Sequence, residues 1–147
     1  YNKDQINKCL SAKNPDIIQL PLNLLDTRLI KDGVVQMLND EEVEIHARSI
    51  FLQGLLLMNE EERGIKFEKW SDEFKKLDSW LDNKNLSKLE GCLYFVFNES
   101  KIDKFIIGIN SEKELRQILY ILKKNKYEAF NYPSRNNDTN LLEPMNW

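Results

Sequence analysis

The stretch VEIHARSIFLQGLL, residues 43–56, decides the fold of this chain. Residues 43–47 predict a β-strand, and residues 48–56 predict an apolar loop interrupted by a few polar groups. A similar short strand is predicted before this stretch, at residues 16–20, where Pro21 stops it. The clearest strand follows it, at residues 105–109. The chain therefore contains three predicted strands that are far apart in sequence.

Helical patterns separate these strands. Residues 4–13 carry one apolar stripe and end at Asn14-Pro15, because the residue before a proline resists the helical conformation. Further helices are predicted over residues 34–38, 67–81, 86–97 and 111–122, and residues 22–30 are expected to form a loop. Strands joined by helical connections favour a parallel sheet with right-handed crossovers. The predicted fold class is therefore α/β.

The composition is typical of a soluble globular protein, with 41% hydrophobic and 31% charged residues among 147. The formal charge of −3 argues against nucleic-acid binding. Cys9 and Cys92 lack metal-ligand spacing and are expected to be buried or half-buried reduced thiols. His46 is the sole histidine, which argues against a histidine metal site and against a Ser-His-Asp triad. No apolar run reaches the roughly 18 residues of a membrane span, so a cytoplasmic location is expected.

The predicted sheet is incomplete. The chain opens on a helix with no strand before it, and three parallel strands leave two open edges. We therefore expect that missing sequence, self-association or a partner subunit covers these edges. Residues 1–147 are interpreted as a single partial domain in which residues 125–147 form a polar surface tail.

Three segments carry a family resemblance: IIQLPLNLLD at residues 17–26, ARSIFLQGLL at 47–56, and IIGINS at 106–111. In this order and spacing they resemble the last three strands of the aldo/keto reductase superfamily, and the ending LEPMNW at 142–147 is similar to its tail. The resemblance implies strands six to eight of a TIM (β/α)8 barrel. A complete barrel has about 250 residues, so this chain supplies only the C-terminal part.

The resemblance also implies binding of NADP or NAD at the strand ends. Gln19 matches the amide that bonds the nicotinamide carboxamide, although a structural partner within the barrel is an alternative. Ser49, Phe51 and Gln53 match the loop around the cofactor pyrophosphate, and Phe51 is otherwise a core residue. Arg48 stands where many relatives have an aromatic residue that stacks on the nicotinamide, and an arginine can also stack on a planar ring.

The turn after the third strand matches the adenosine end of the cofactor site. Gly108, Asn110 and Ser111 lead into a helix whose N–H groups suit a phosphate. Glu114 occupies a place where NADP-specific relatives often carry arginine; it either disfavours a 2′-phosphate or only caps the helix. Gln117 matches an adenine contact, with plain solvation as the alternative.

The catalytic Asp, Tyr, Lys and His of the family come from the first four strands, which this chain does not contain. Tyr1 corresponds to a position after the fifth strand, and Lys31 and His46 lie elsewhere, His46 being expected inside the barrel. The expected function is that of a fragment of an NAD(P)H-dependent oxidoreductase acting on a carbonyl or alcohol, inactive alone. The alternative is a non-catalytic half-barrel that binds a nucleotide or a partner protein.

Overall fold

The computed structural model of the protein describes residues 1–13, 15–124 and 136–147. Within them, three parallel strands form one sheet in the order β1-β2-β3, namely Ile17–Pro21, Glu44–Arg48 and Lys104–Phe105. The helices are α1 Lys3–Ala12, α2 Arg28–Lys31, α3 Val34–Asp40, α4 Glu60–Arg63, α5 Ser71–Asn83, α6 Lys88–Phe97, α7 Glu112–Lys123 and α8 Thr139–Leu142. Turns of 3₁₀ helix cover Ile65–Trp70 and Pro144–Asn146. The predicted alternation of parallel strands and helices is confirmed.

The sheet has one buried face and one open face. Along β2, Ile45 and Ala47 are fully buried, whereas Glu44, His46 and Arg48 are half-buried on the opposite side. Successive side chains of a strand point to opposite faces, so this alternation separates a helix-covered side from a polar one.

Cross-strand pairing extends the polar side over all three strands. Gln19 of β1 lies beside His46 of β2, which lies beside Lys104 of β3. We define the open face as Gln19, Glu44, His46, Arg48 and Lys104. His46, expected inside a barrel, is therefore on the side of the sheet away from the helices.

The helices α5 and α6 pack closely against each other. The stripe predicted for residues 67–81 is buried at Phe74, Leu77 and Leu81. Gly91 of α6 faces this stripe, and a Cβ atom there would overlap Cδ2 of Leu81. A larger residue at this position would therefore require the buried Leu81 side chain to shift.

The third strand is shorter than predicted. Residues 105–109 were expected to be extended, but β3 is Lys104–Phe105, with one further bond of 2.8 Å from the Ile106 N–H to the Ala47 carbonyl. In the described part of the chain β3 pairs only with β2, so few backbone bonds hold it. The chain then turns toward α7 and leaves Ile106 and Ile109 exposed.

The described part of the predicted surface tail, residues 136–147, combines exposed residues with buried anchors. Leu141 and Leu142 are buried in the main core, and the Trp70 indole N–H donates to Asp138 Oδ2 at 2.9 Å. The polar composition concealed these anchors. Residues 125–135 lie outside the described residues.

Smaller predictions also need correction. Cys9 is exposed because Ile6 is the buried residue of α1, whereas Cys92 is buried as predicted. Pro21 ends β1 instead of following it, and the interval predicted as a loop contains α2, which begins at Arg28. Residues 65–70 enter α5 as a 3₁₀ turn. None of the described helices is long and apolar enough to cross a membrane.

Candidate functional site

A cleft of about 530 Å³ lies between the loop after β2 and the turn into α7. Its lining residues are Ser49, Ile50, Phe51, Gln53, Gly54, Leu57, Leu89, Ile106, Ile107, Gly108, Asn110, Glu114, Gln117 and Ile118. Seven of the ten site residues predicted from sequence are among them, so two segments more than 50 positions apart meet here. Gln19, Arg48 and Ser111 are not in the lining.

The loop after β2 has an unusual backbone. Ser49, Leu52, Gln53 and Gly54 have φ angles of 58°, 47°, 56° and 85°, in the left-handed region. For residues other than glycine this conformation costs of the order of 1 kcal/mol each and needs support from the surroundings. Leu52 supplies it, because its side chain is fully buried and its N–H donates to the Ser49 carbonyl at 2.9 Å. Such clusters of strained residues are typical of binding sites.

This conformation leaves hydrogen-bond donors available beside the cleft. Within the described residues, the backbone N–H groups of Phe51, Gln53 and Gly54 have no hydrogen-bond partner. Successive N–H groups in turns with left-handed residues form concave sites that bind anions. The loop therefore has the donor chemistry that a phosphate or pyrophosphate requires.

The opposite wall is the capped start of α7. Ser111 Oγ accepts from the Glu114 N–H at 3.2 Å, and Glu114 Oε2 accepts from the Asn110 N–H at 2.9 Å. Glu114 therefore acts as a helix cap, which is one of the two roles expected for it from the sequence. It also lines the cleft. A carboxylate fixed at this wall repels any phosphate placed next to it.

Gln19 and Arg48 lie on the open face instead of in the cleft. The Arg48 guanidinium stacks over the Tyr1 ring, with 4.5 Å to the ring centre, and Nη1 donates to Ser49 Oγ at 3.3 Å. Because Ser49 also lines the cleft, this hydrogen bond connects the open face with the cleft. Gln19 lies two residues before the end of β1, beside His46.

A second polar group occupies the open face. Glu44 Oε1 contacts His46 Nε2 at 2.6 Å and accepts from Lys104 Nζ at 2.5 Å. The hydrogen bond with His46, followed by the one with Lys104, lowers the pKa of Glu44 below its usual value. The Glu44 carboxylate thus interacts with both His46 and Lys104 on this face.

Asn23 is a residue that the sequence analysis did not single out. It is 1% exposed, its Oδ1 accepts from the N–H groups of Leu25 and Asp26 at 3.0 and 2.9 Å, and its Nδ2 donates to the Ser49 carbonyl at 3.2 Å. Asn23 therefore ties the loop after β1 to the loop that lines the cleft. An asparagine following Pro-Leu at a strand end was the available signal.

Next to it, Arg28 closes the same end of the sheet. Its guanidinium forms two hydrogen bonds of 2.9 Å with the buried Asp26 carboxylate and a longer one of 3.3 Å with Glu143. The hydrogen bond with Asp26 is the main cause that raises the pKa of Arg28. The loop after β1 is thereby joined to the C-terminal segment.

Comparisons with known proteins agree with this architecture. A model of the aldo/keto reductase family matches residues 1–131, whereas no curated protein sequence matches. The solved structure of a glycerol dehydrogenase from Gluconobacter oxydans is similar, with a TM-score of 0.52 and 15% identity over 91% of this chain. The match covers 50% of that enzyme, so the chain spans about half its length. The likeness shows the fold, a portion of an α/β barrel, and the family match shows that the chain belongs to the aldo/keto reductase family.

Proposed function

We propose that the chain is the cofactor-binding part of an oxidoreductase that acts on a carbonyl or alcohol, and that its cleft binds NAD or NADP. One observation carries this proposal: the loop after β2 and the start of α7 enclose a single cleft. Unpaired backbone donors lie on one side of that cleft, and a helix N-terminus lies on the other.

The donor set fits the phosphates of a dinucleotide. Phe51, Gln53 and Gly54 offer backbone N–H groups, and Gly54 leaves space because no atom lies within 4 Å of where its Cβ would be. Ser49 Oγ accepts from Arg48, which leaves its own hydrogen available for donation toward the cleft. A bound nicotinamide cofactor would supply or accept the hydride, and these residues would hold and orient the cofactor.

Cofactor choice depends on Glu114. A carboxylate in the cleft wall favours NADH, because the 2′-phosphate of NADPH would bring like charges together. The cap role of Glu114 is satisfied at the same time by the Asn110 N–H. Glu114→Gln keeps an acceptor for this bond and removes the charge, so it should narrow the difference in affinity between NADH and NADPH.

The proton donor for the reaction is proposed to belong to other parts of the barrel. By resemblance, the catalytic Asp, Tyr, Lys and His come from the first four strands, and this chain spans about half of a related enzyme. We therefore expect the 147-residue chain to bind cofactor without reducing a carbonyl. Two free thiols, Cys9 and Cys92, are consistent with work in the reducing cytoplasm.

The test is a titration of the chain with NADH and NADPH, followed by reduced-nicotinamide fluorescence alongside a carbonyl-reduction assay. Gly54→Ala should weaken binding, because the added methyl strains the left-handed loop. Gly33→Ala is the matched control, since Gly33 has a similar φ of 75° and equal space but lies outside the cleft. No binding by the well-folded chain, or equal weakening by both variants, would contradict the proposal.

A second candidate function is a non-catalytic interaction module. Within the described residues both β1 and β3 have a free edge, and the open face carries no covering element from the helical layer. Self-association or a partner subunit would cover these surfaces. Sedimentation and urea unfolding of the purified chain test this second function. A monomer with one cooperative unfolding transition argues against a required partner, whereas a dimer supports self-association.

A further inference from the structure

Arg48 lies at the point where the open face meets the cleft. It ends β2, beside Pro21 at the end of β1, and its side chain is half-buried. The Tyr1 ring stacks against the guanidinium at 4.5 Å and Ser49 Oγ takes one of its five donors. Stacking on one flat side leaves the donor-bearing edge of a guanidinium available for a planar partner.

Two other cationic side chains near the open face are paired with carboxylates. Arg28 is paired with Asp26 and Glu143, and Lys104 is paired with Glu44. Among the described residues, in contrast, no carboxylate forms an ion pair with Arg48. A half-buried guanidinium with unused donors is stabilised by an anion, and charged hydrogen bonds of this kind are the stronger ones.

The position of Arg48 indicates which anion it serves. In α/β barrels ligands sit at the C-terminal ends of the strands, and Arg48 is at that end of β2. The backbone donors for cofactor phosphates lie beyond Ser49, within the cleft, whereas Arg48 is on the open face. An anion bound to Arg48 would therefore lie next to the cofactor and over the sheet.

We propose that Arg48 binds an anionic group of the substrate, a carboxylate or a phosphate, and that the carbonyl compound used by this protein is negatively charged. The statement that the anion belongs to a substrate rests on the proposed oxidoreductase function, whereas the anion site itself does not. Gln19 and His46, deeper on the same face, would contact the uncharged part of the compound. Arg48 is thus a specificity-determining residue.

The test compares two molecules of nearly equal shape, pyruvate and its neutral analogue 2,3-butanedione. Each is titrated into the isotopically labelled chain, with and without saturating NADH, while the Arg48 Nε–H and Ser49 amide resonances are followed by NMR. Dihydroxyacetone phosphate forms a third arm that separates phosphate from carboxylate recognition. We expect pyruvate or the phosphate to bind at least about tenfold more tightly than butanedione, and more weakly at high salt.

Two variants assign the effect to Arg48. Arg48→Met keeps the apolar stem and should abolish the preference for the anion, whereas Arg48→Lys should retain the charge and part of the affinity. Arg116→Met is the control, because Arg116 is 77% exposed, pairs with Glu112 on α7 and does not line the cleft. It removes the same charge and should leave anion binding unchanged.

Equal affinities for pyruvate, the phosphate and butanedione would overturn the inference, as would unchanged anion binding in folded Arg48→Met. If saturating NADH displaces the anions and Arg48→Met weakens NADH itself, the cofactor phosphates occupy Arg48 and the inference is wrong. NADH binding without anion binding refutes this inference alone. Anion binding that depends on Arg48 in a chain that does not bind NADH refutes the proposed function and leaves the anion site standing.

Discussion

Removal of the Asn23 side chain should destabilise the protein and loosen the cleft together. In Asn23→Ala, the backbone N–H groups of Leu25 and Asp26 lose their acceptor, and the Ser49 carbonyl loses one of its two donors. Asn23 is 1% exposed, so water does not easily replace these partners. The polar side-chain link between the two loops at the end of the sheet would then be lost.

The magnitude follows from the number of bonds. An unsatisfied buried donor costs about 1–3 kcal/mol, and the Ser49 carbonyl still accepts from the Leu52 N–H, so the two donors dominate. Partial relaxation of the turn brings the expected loss to about 2–4 kcal/mol. Against a typical total of 5–15 kcal/mol, this is a large fraction of the stability of the chain.

Urea unfolding followed by circular dichroism measures the loss, and hydrogen exchange measures the protection of the Leu25 and Asp26 amides. Asn39→Ala is the control, because Asn39 is an exposed residue of α3 and its truncation should change stability by less than about 0.5 kcal/mol. A loss below about 1 kcal/mol in Asn23→Ala, with unchanged protection of both amides, would refute the proposed role of the side chain.

Three further predictions concern the core, the thiols and the response to acid. Gly91→Ala should lower stability by about 1–3 kcal/mol, because the methyl overlaps Leu81; a gain of about 1 kcal/mol, as helix propensity alone predicts, would contradict this packing. A thiol reagent at mildly alkaline pH should label exposed Cys9 in the native chain but not Cys92, whose pKa burial raises to about 12; two fast thiols would be inconsistent with that burial. The hydrogen bond from the Trp70 indole lowers the pKa of Asp138 below its usual 3.8. The ionised Asp138 carboxylate therefore stabilises the folded chain above pH 3.8, and this stabilisation is lost as the pH falls through the lowered pKa. Urea unfolding at decreasing pH should show less of this loss in Asp138→Asn, and an identical pH dependence would count against the contact.

Local sequence patterns were sufficient to predict most of the helices that form the helical layer. The apolar stripe that includes Phe74 and Leu81 specifies a helix with one buried side, and the Ser111–Glu114 pair marks the start of α7. The meeting of the loop after β2 with the start of α7 was also anticipated, but through family resemblance, because no local rule joins segments so far apart. The roles of those cleft residues in binding stay predictions.

The failures have a common physical cause, which is dependence on distant partners. Residues near Ile106 have high β-propensity, yet β3 is short because, in the described part of the chain, it pairs with β2 alone. The number of neighbouring strands cannot be deduced from one segment of sequence. Asp138 lies in a polar stretch, and its partner is the indole of Trp70, 68 positions earlier. Asn23 likewise gains its importance from the Ser49 carbonyl, which a sequence pattern does not display.

The alternation of buried and open residues along β2 has a consequence for how this chain tolerates genetic change. An inserted or deleted residue within the strand shifts every later side chain to the other side. A deletion after Glu44 would turn His46 and Arg48 into the helical layer and Ala47 away from it. Point changes among the polar residues keep this phase, so a mutational scan should accept many substitutions at His46 but almost no change in the length of the strand.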